Sequence, residues 1–184
     1  MQKPFTKLTR YLSEANDRAY ILGLTILALL LRFWGINEDL WLDEISTLVH
    51  NMRPTPLETA ATFGSANQHM LNSVTGSISI RIFGESAWAV RLPAVLFGLA
   101  TIPVFFALAR MITTRVEAIF ATLFLTMSYH HIWFSQNARG YSAMIFFTVL
   151  STLLLVRWLK NTNKREQRDL WLFSLCGALG MLAL

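Results

Sequence analysis

Charge is scarce in this sequence. Only 15% of its 184 residues are Asp, Glu, Lys or Arg, against about 25% in soluble domains, and a soluble fold of this size would need a polar shell that this supply cannot cover. The shortage excludes a disordered tail, which needs low hydrophobicity and high charge. With 54% hydrophobic residues and a mean hydropathy of +0.44, it also argues against a cytosolic enzyme. Cysteine is nearly absent. Cys176 stands alone in an apolar run, so no internal disulfide can form and an extracellular disulfide scaffold is excluded. No internal repeat or low-complexity tract is visible. A protein with several membrane spans remains.

Positive charge is present but dispersed. The net charge of +5 and the pI near 9.8 could point to nucleic acid, yet the basic residues sit in short groups beside apolar stretches rather than in one interleaved patch. The expected partner is therefore a membrane and not a nucleic acid. Four stretches, 19–36, 87–109, 116–133 and 142–159, approach the roughly 20 apolar residues that cross a hydrocarbon core of about 30 Å. A fifth, 170–184, is cut short by the chain end. The expected fold class is all-α, a polytopic membrane helical bundle. Almost no ionisable residue falls inside the complete spans, which disfavours a transporter or channel.

Orientation follows from the excess of positive charge in loops that stay inside. An inside N-terminus places Lys3, Lys7, Arg10, Arg18, Arg110, Arg115, Arg157, Lys160, Lys164, Arg165 and Arg168 on the inner side, and leaves Arg32, Arg53, Arg81, Arg91 and Arg139 outside. The expected location is the cell (inner) membrane with a cytoplasmic N-terminus and outer loops at 37–86 and 129–141. No small-residue cleavage site follows Gly35, so the first stretch reads as a retained helix rather than a signal peptide.

The long outer loop is patterned. Trp41, Leu42, Ile45, Leu48, Val49 and Met52 form an apolar stripe of helical period, ended by Pro54 and Pro56, which predicts a short interfacial helix lying on the membrane. Asp43, Thr47 and His50 fall on its opposite face. Thr55, Pro56 and Glu58 form a capping box with proline at the first helical position, opening a second short helix. A third is expected from Gln68 to Phe83, with Met70, Leu71, Val74 and Ile78 on one side and His69, Asn72, Ser73 and Ser77 on the other, stopped by Gly84.

Three groups of residues in these loops could carry chemistry. Asp43 and Glu44 follow the first span closely, where a carboxylate could act as general base toward a hydroxyl while a membrane-embedded donor presents its reactive carbon at that depth. The ordinary alternative is solvated charge on a surface helix. Arg91, in Arg91-Leu92-Pro93, and Arg139, in the second outer loop, could hold a phosphate with their planar forks of donors. Interfacial snorkelling is the ordinary reading of both. The neighbours His130 and His131 point about 100° apart on a helix and no carboxylate lies one turn from any histidine, so interfacial hydrogen bonding suits that pair better than metal ligation. Pro103 is expected to kink the second span.

The order of these features resembles the multi-span GT-C glycosyltransferases, the group that includes protein O-mannosyltransferases and lipid A aminoarabinose transferases. Leu40-Trp41-Leu42-Asp43-Glu44 is similar to that family's acidic motif in the first outer loop. The run from Phe83 to Pro93, followed by Phe97-Gly98, is similar to its lead into the second span, and Ser135 to Tyr141 to its second outer-loop signature. Residues 1–184 would then be the N-terminal part of a GT-C transmembrane domain. The resemblance implies a polyprenyl-phosphate sugar donor, a lipid, glycan or protein acceptor, inversion at the anomeric carbon and Asp43 as the base. It places the active site in the outer cleft, with Glu44 beside the base and His69, Arg91, Gln136, Arg139 and Tyr141 lining or supporting it. Two positions depart from the family pattern. His69-Met70-Leu71 stands where many members have His-Pro-Pro, and Gln136 and Asn137 stand where some relatives carry an acidic metal ligand. A divalent cation stays open, with arginine as the alternative source of positive charge. The competing reading is a non-catalytic, truncated membrane subunit or scaffold that retains the fold.

Overall fold

The computed structural model describes residues 4–62, 64, 68–161 and 167–184, with side chains from residue 16 onward. Lys3, Lys164 and Arg165 of the basic inner set lie outside the described residues, as do the side chains of Lys7 and Arg10. Every regular element among the described residues is helical. Helix α1 spans Pro4–Phe33, and α2, Leu42–Thr47, runs on into a π-helical turn, Leu48–Met52. Helices α3 (Pro56–Ala61) and α4 (Met70–Phe83) complete the first loop. They are followed by α5 (Ala87–Ile112), α6 (Arg115–Met127), α7 (Tyr129–Ser135), α8 (Tyr141–Lys160) and α9 (Gln167–Leu182).

Helix α5 is the centre of the packing and touches α1, α4, α6, α7 and α8, while α9 lies on α8. By length and composition, α5 and α8 can each cross a membrane. Proline does not end α5. Pro93 has no N–H to give to the carbonyl of Ala89, and the Ser79 hydroxyl of α4 donates to that oxygen instead at 2.6 Å. A proline defect in one helix thus becomes an attachment point for its neighbour. At the opposite end of α5, Asp17 of α1 accepts from both Arg110 (3.3 Å) and Arg115 (2.6 Å), which ties α1 to the turn between α5 and α6.

The third apolar stretch is not one helix. It breaks at Ser128, whose extended backbone (φ −61°, ψ 120°) ends α6 and whose side chain caps α7 by accepting from the His131 amide. The Thr55–Glu58 capping box forms as expected, with the Thr55 amide donating to Glu58 at 2.8 Å. Gly84 ends α4 with a positive φ of 84°, a backbone conformation glycine adopts without strain.

Helix α4 turns most of its polar face inward, and α2 buries Glu44 and Thr47 while Asp43 stays exposed. In α4 the buried residues are Asn72, Ser73, Gly76, Ser77, Ser79 and Ile80, with His69 buried just before it, whereas Ile78 and Ile82 are exposed. Small polar side chains let backbones approach closely, and at Gly76 any Cβ would sit 2.4 Å from the methyl of Met52. In α2 the expected stripe divides. Leu48 and Met52 pack with Ile80, Val90 and Ala138, while Trp41, Leu42, Ile45 and Val49 stay exposed. Thr47, expected on the outward face, is fully buried. The reason is Glu44 on the same face, which is drawn inward by an arginine of α5.

Candidate functional site

That arginine is Arg91. Its Nε donates to Glu44 Oε1 at 3.0 Å and its Nη2 to Glu44 Oε2 at 2.7 Å, a bidentate pair in which Glu44 is 0% and Arg91 3% exposed. The other N–H groups donate to the carbonyls of Ile36 and Glu38 (2.8 Å each) and Asp39 (3.1 Å). Those carbonyls belong to the irregular chain between α1 and α2, so Arg91 supplies the backbone partners that a loop cannot supply for itself. All five of its donors have protein acceptors, and none is left for a phosphate. Glu44 is satisfied as fully. It also accepts from the Trp41 amide at the start of α2 (3.0 Å) and from the Ala138 amide of the second outer loop (2.7 Å).

Ala138 links this buried pair to the more open cluster in front of it. Next in the chain, Arg139 donates through Nε to His69 Nε2 at 2.8 Å, and its Nη1 lies 2.9 Å from Asp43 Oδ2, an ion pair without the alignment of a hydrogen bond. Its guanidinium also sits 5.9 Å from the centroid of the Tyr141 ring, within cation–π range. Because His69 Nε2 accepts, the ring proton belongs on Nδ1, which lies 3.2 Å from the Ala183 carbonyl. Burial, and then the charge of Arg139, hold His69 below its ordinary pKa, so it stays neutral. Asp43 differs from its neighbours in being open: its side chain is 68% exposed, against 13% for Arg139. It borders a shallow groove along α2 with Leu42, Ile45, Ser46, Val49 and His50.

The site residues expected from sequence thus fall into three places. Asp43, His69, Arg139 and Tyr141 form one cluster, while Glu44 and Arg91 form the buried pair behind it. Gln136 binds the end of α1 instead, donating to the carbonyls of Arg32 (3.1 Å) and Trp34 (2.5 Å) beside a cavity of about 220 Å³ that Trp41 and Trp133 also line. The two neighbouring histidines separate. His130 is exposed against Tyr129 and Phe134, whereas His131 is buried and its Nδ1 meets Arg32 Nη2 at 2.5 Å. Arg32, counted among the outer cations, is fully buried there, and its Nη1 donates to the Ala28 carbonyl. Sequence reasoning also missed the part played by Gly140. A Cβ there would fall 1.4 Å from the Ala183 oxygen, so only glycine admits the end of α9 beside His69. Among the described residues, no three His, Cys, Asp or Glu side chains are grouped to hold a metal ion.

The family model described as dolichyl-phosphate-mannose-protein mannosyltransferase matches residues 73–183. The match takes in Arg91, Gln136, Arg139 and Tyr141, and begins after Asp43, Glu44 and His69. No curated protein and no solved structure matches the chain. The matched region covers more than half of the sequence and runs from α4 through α9, including both long apolar helices. The chain therefore belongs to the dolichyl-phosphate-mannose-protein mannosyltransferase family, membrane glycosyltransferases of the GT-C type.

Proposed function

We propose that this chain carries the reacting end of a glycosyltransferase that moves a sugar from a polyprenyl-phosphate donor to an acceptor hydroxyl at the outer face of the cell membrane, its N-terminus being cytoplasmic. The observation that carries this reading is the pairing of an exposed carboxylate, Asp43, with the cation of Arg139 at 2.9 Å, on two loops that the Glu44–Arg91 pair holds together. Inverting transfer needs a group to take the hydroxyl proton and a positive charge for the phosphate that departs. Asp43 takes the proton as the acceptor oxygen attacks the anomeric carbon. The bond from that carbon to the phosphate oxygen breaks, and polyprenyl phosphate leaves with its electron pair.

Arg139 is the better candidate for the leaving phosphate, because the five donors of Arg91 are all engaged within the protein. Glu44, equally enclosed, holds the loops and takes no proton. His69, neutral and bonded to Arg139, fixes the guanidinium without adding charge. The exposed Trp41, Leu42, Ile45 and Val49 would rest α2 on the lipid surface and bring Asp43 to the depth of a lipid-linked phosphate. The test is Asp43→Asn in membranes supplied with radiolabelled polyprenyl-phosphate mannose. Turnover is expected to fall about 10²- to 10⁴-fold with donor binding kept, and unchanged turnover would overturn the assignment.

A further inference from the structure

Ala138, the residue before Arg139, is held through both of the peptide units that flank its Cα. The Ala138 amide donates to Glu44 Oε1 at 2.7 Å, and the Ala138 carbonyl accepts from Asn72 Nδ2 at 2.8 Å. Glu44, Asn72 and Ala138 are each at most 1% exposed. Neither loop group is part of a helix, and buried backbone groups need partners. Here both partners are side chains brought from other elements, α2 and α4. The residue immediately after Ala138 carries the guanidinium that pairs with Asp43. A rotation of the Ala138–Arg139 peptide, whose carbonyl Asn72 holds, would swing Arg139 away from both Asp43 and His69.

We infer that Asn72 is a positioning residue for the transfer reaction: by donating to the Ala138 carbonyl, it sets the direction in which Arg139 leaves the second outer loop toward Asp43. This rests on the proposed function of Asp43 and Arg139, to which it adds a residue that touches neither substrate. The polar face of α4 acquires a purpose as well. His69 and Asn72, one turn apart on that face, hold the side chain and the backbone of the same loop segment. Only an N–H or O–H donor at position 72 can make the bond, because the group it meets is a carbonyl oxygen.

That requirement yields a test that a merely structural role would not pass. In Asn72→Asp the side chain can donate only while protonated, and burial beside a carbonyl oxygen disfavours its ionised form. Transfer of radiolabelled mannose from polyprenyl phosphate, measured across pH in membranes, should therefore be near wild type at the acid end for Asn72→Asp. It should then fall roughly ten- to hundredfold as the new carboxyl ionises. Asn72→Ala should be low by a similar factor at every pH. Glu44, His69 and Arg139, the ionisable groups bonded to this segment, are common to all three proteins, so the difference between profiles reports position 72.

A second readout is independent of activity. Trypsin should cut the Arg139–Gly140 bond faster in Asn72→Ala than in wild type, since the loop has lost its hold. Parallel profiles for wild type and Asn72→Asp, or equal cleavage in Asn72→Ala and wild type, would overturn the inference. Failure of the proposed function has a different signature, in which wild type itself transfers no sugar while the cleavage difference persists.

Discussion

Replacing Glu44 by glutamine removes one charge from the most enclosed ion pair in the described structure, and its consequence can be sized. Glu44 accepts four hydrogen bonds, two from Arg91 and one each from the Trp41 and Ala138 amides. The glutamine amide can keep one acceptor oxygen but presents N–H groups where the second oxygen accepted, so at least one donor loses its partner. Arg91 keeps its three carbonyl acceptors, yet its charge stays buried without a counterion. Breaking a buried pair from one side costs about 3–5 kcal/mol. For a chain of this size that corresponds to an apparent Tm lower by roughly 6–20 °C. Arg91→Met should cost a similar amount, because it strands the carboxylate. The double variant removes both charges, and its loss should fall well short of the sum of the two, by about 2 kcal/mol or more of coupling. Cys176, the only cysteine and buried, supplies the probe, since a thiol-reactive dye labels it only as the fold opens on heating in detergent. Strictly additive losses, or a Glu44→Gln Tm within about 1 °C of wild type, would refute the reasoning.

Two further outcomes follow from the same structure. His69 is held below its ordinary value of 6.5 when folded, so the unfolded chain binds the proton more readily; this contribution is complete above that pH and is lost as pH falls through the folded value. Tryptophan fluorescence melts at about pH 7.5 and about pH 5.5 should therefore show an acid-side loss that His69→Gln reduces, and an undiminished loss in that variant would assign the effect elsewhere. Leu57, 80% exposed on α3, lies in the loop read as outer. Leu57→Cys should react with a membrane-impermeant maleimide added to intact cells, and labelling only after the cells are opened would reverse the topology.

The site reads differently from sequence and from structure because two kinds of information are involved. Motif order brought Asp43, His69, Arg139 and Tyr141 into one list, and the fold places them in one cluster. The same list held Arg91 and Glu44, and nothing local to either residue says that each is the other's partner across 47 positions of sequence. Arg32 was equally opaque. A cation near a helix end resembles a snorkelling side chain until the neighbouring helix is seen to cover it.

Composition and periodicity alone determined that the chain is helical and apolar, where α5 and α8 run, and where Thr55 and Gly84 start and stop helices. These are local properties, set by hydropathy over one helix length and by the bonding of single side chains to nearby backbone. The inward turn of the polar face of α4, and of Glu44 and Thr47 in α2, was beyond such reasoning, while Asp43 and His50 face outward as expected. Amphipathic patterns are read on the assumption that water lies outside, so polar faces were assigned outward. In this protein Glu44 of α2 pairs with Arg91 and the Ala138 amide, and Asn72 of α4 with the Ala138 carbonyl, because buried hydrogen-bonding groups need partners. The apolar faces of α2 and α4 can stay exposed where the surroundings are lipid. Only the tertiary arrangement, which brings Glu44 of α2, Asn72 of α4, Arg91 of α5 and the second outer loop together, decides between those two solutions.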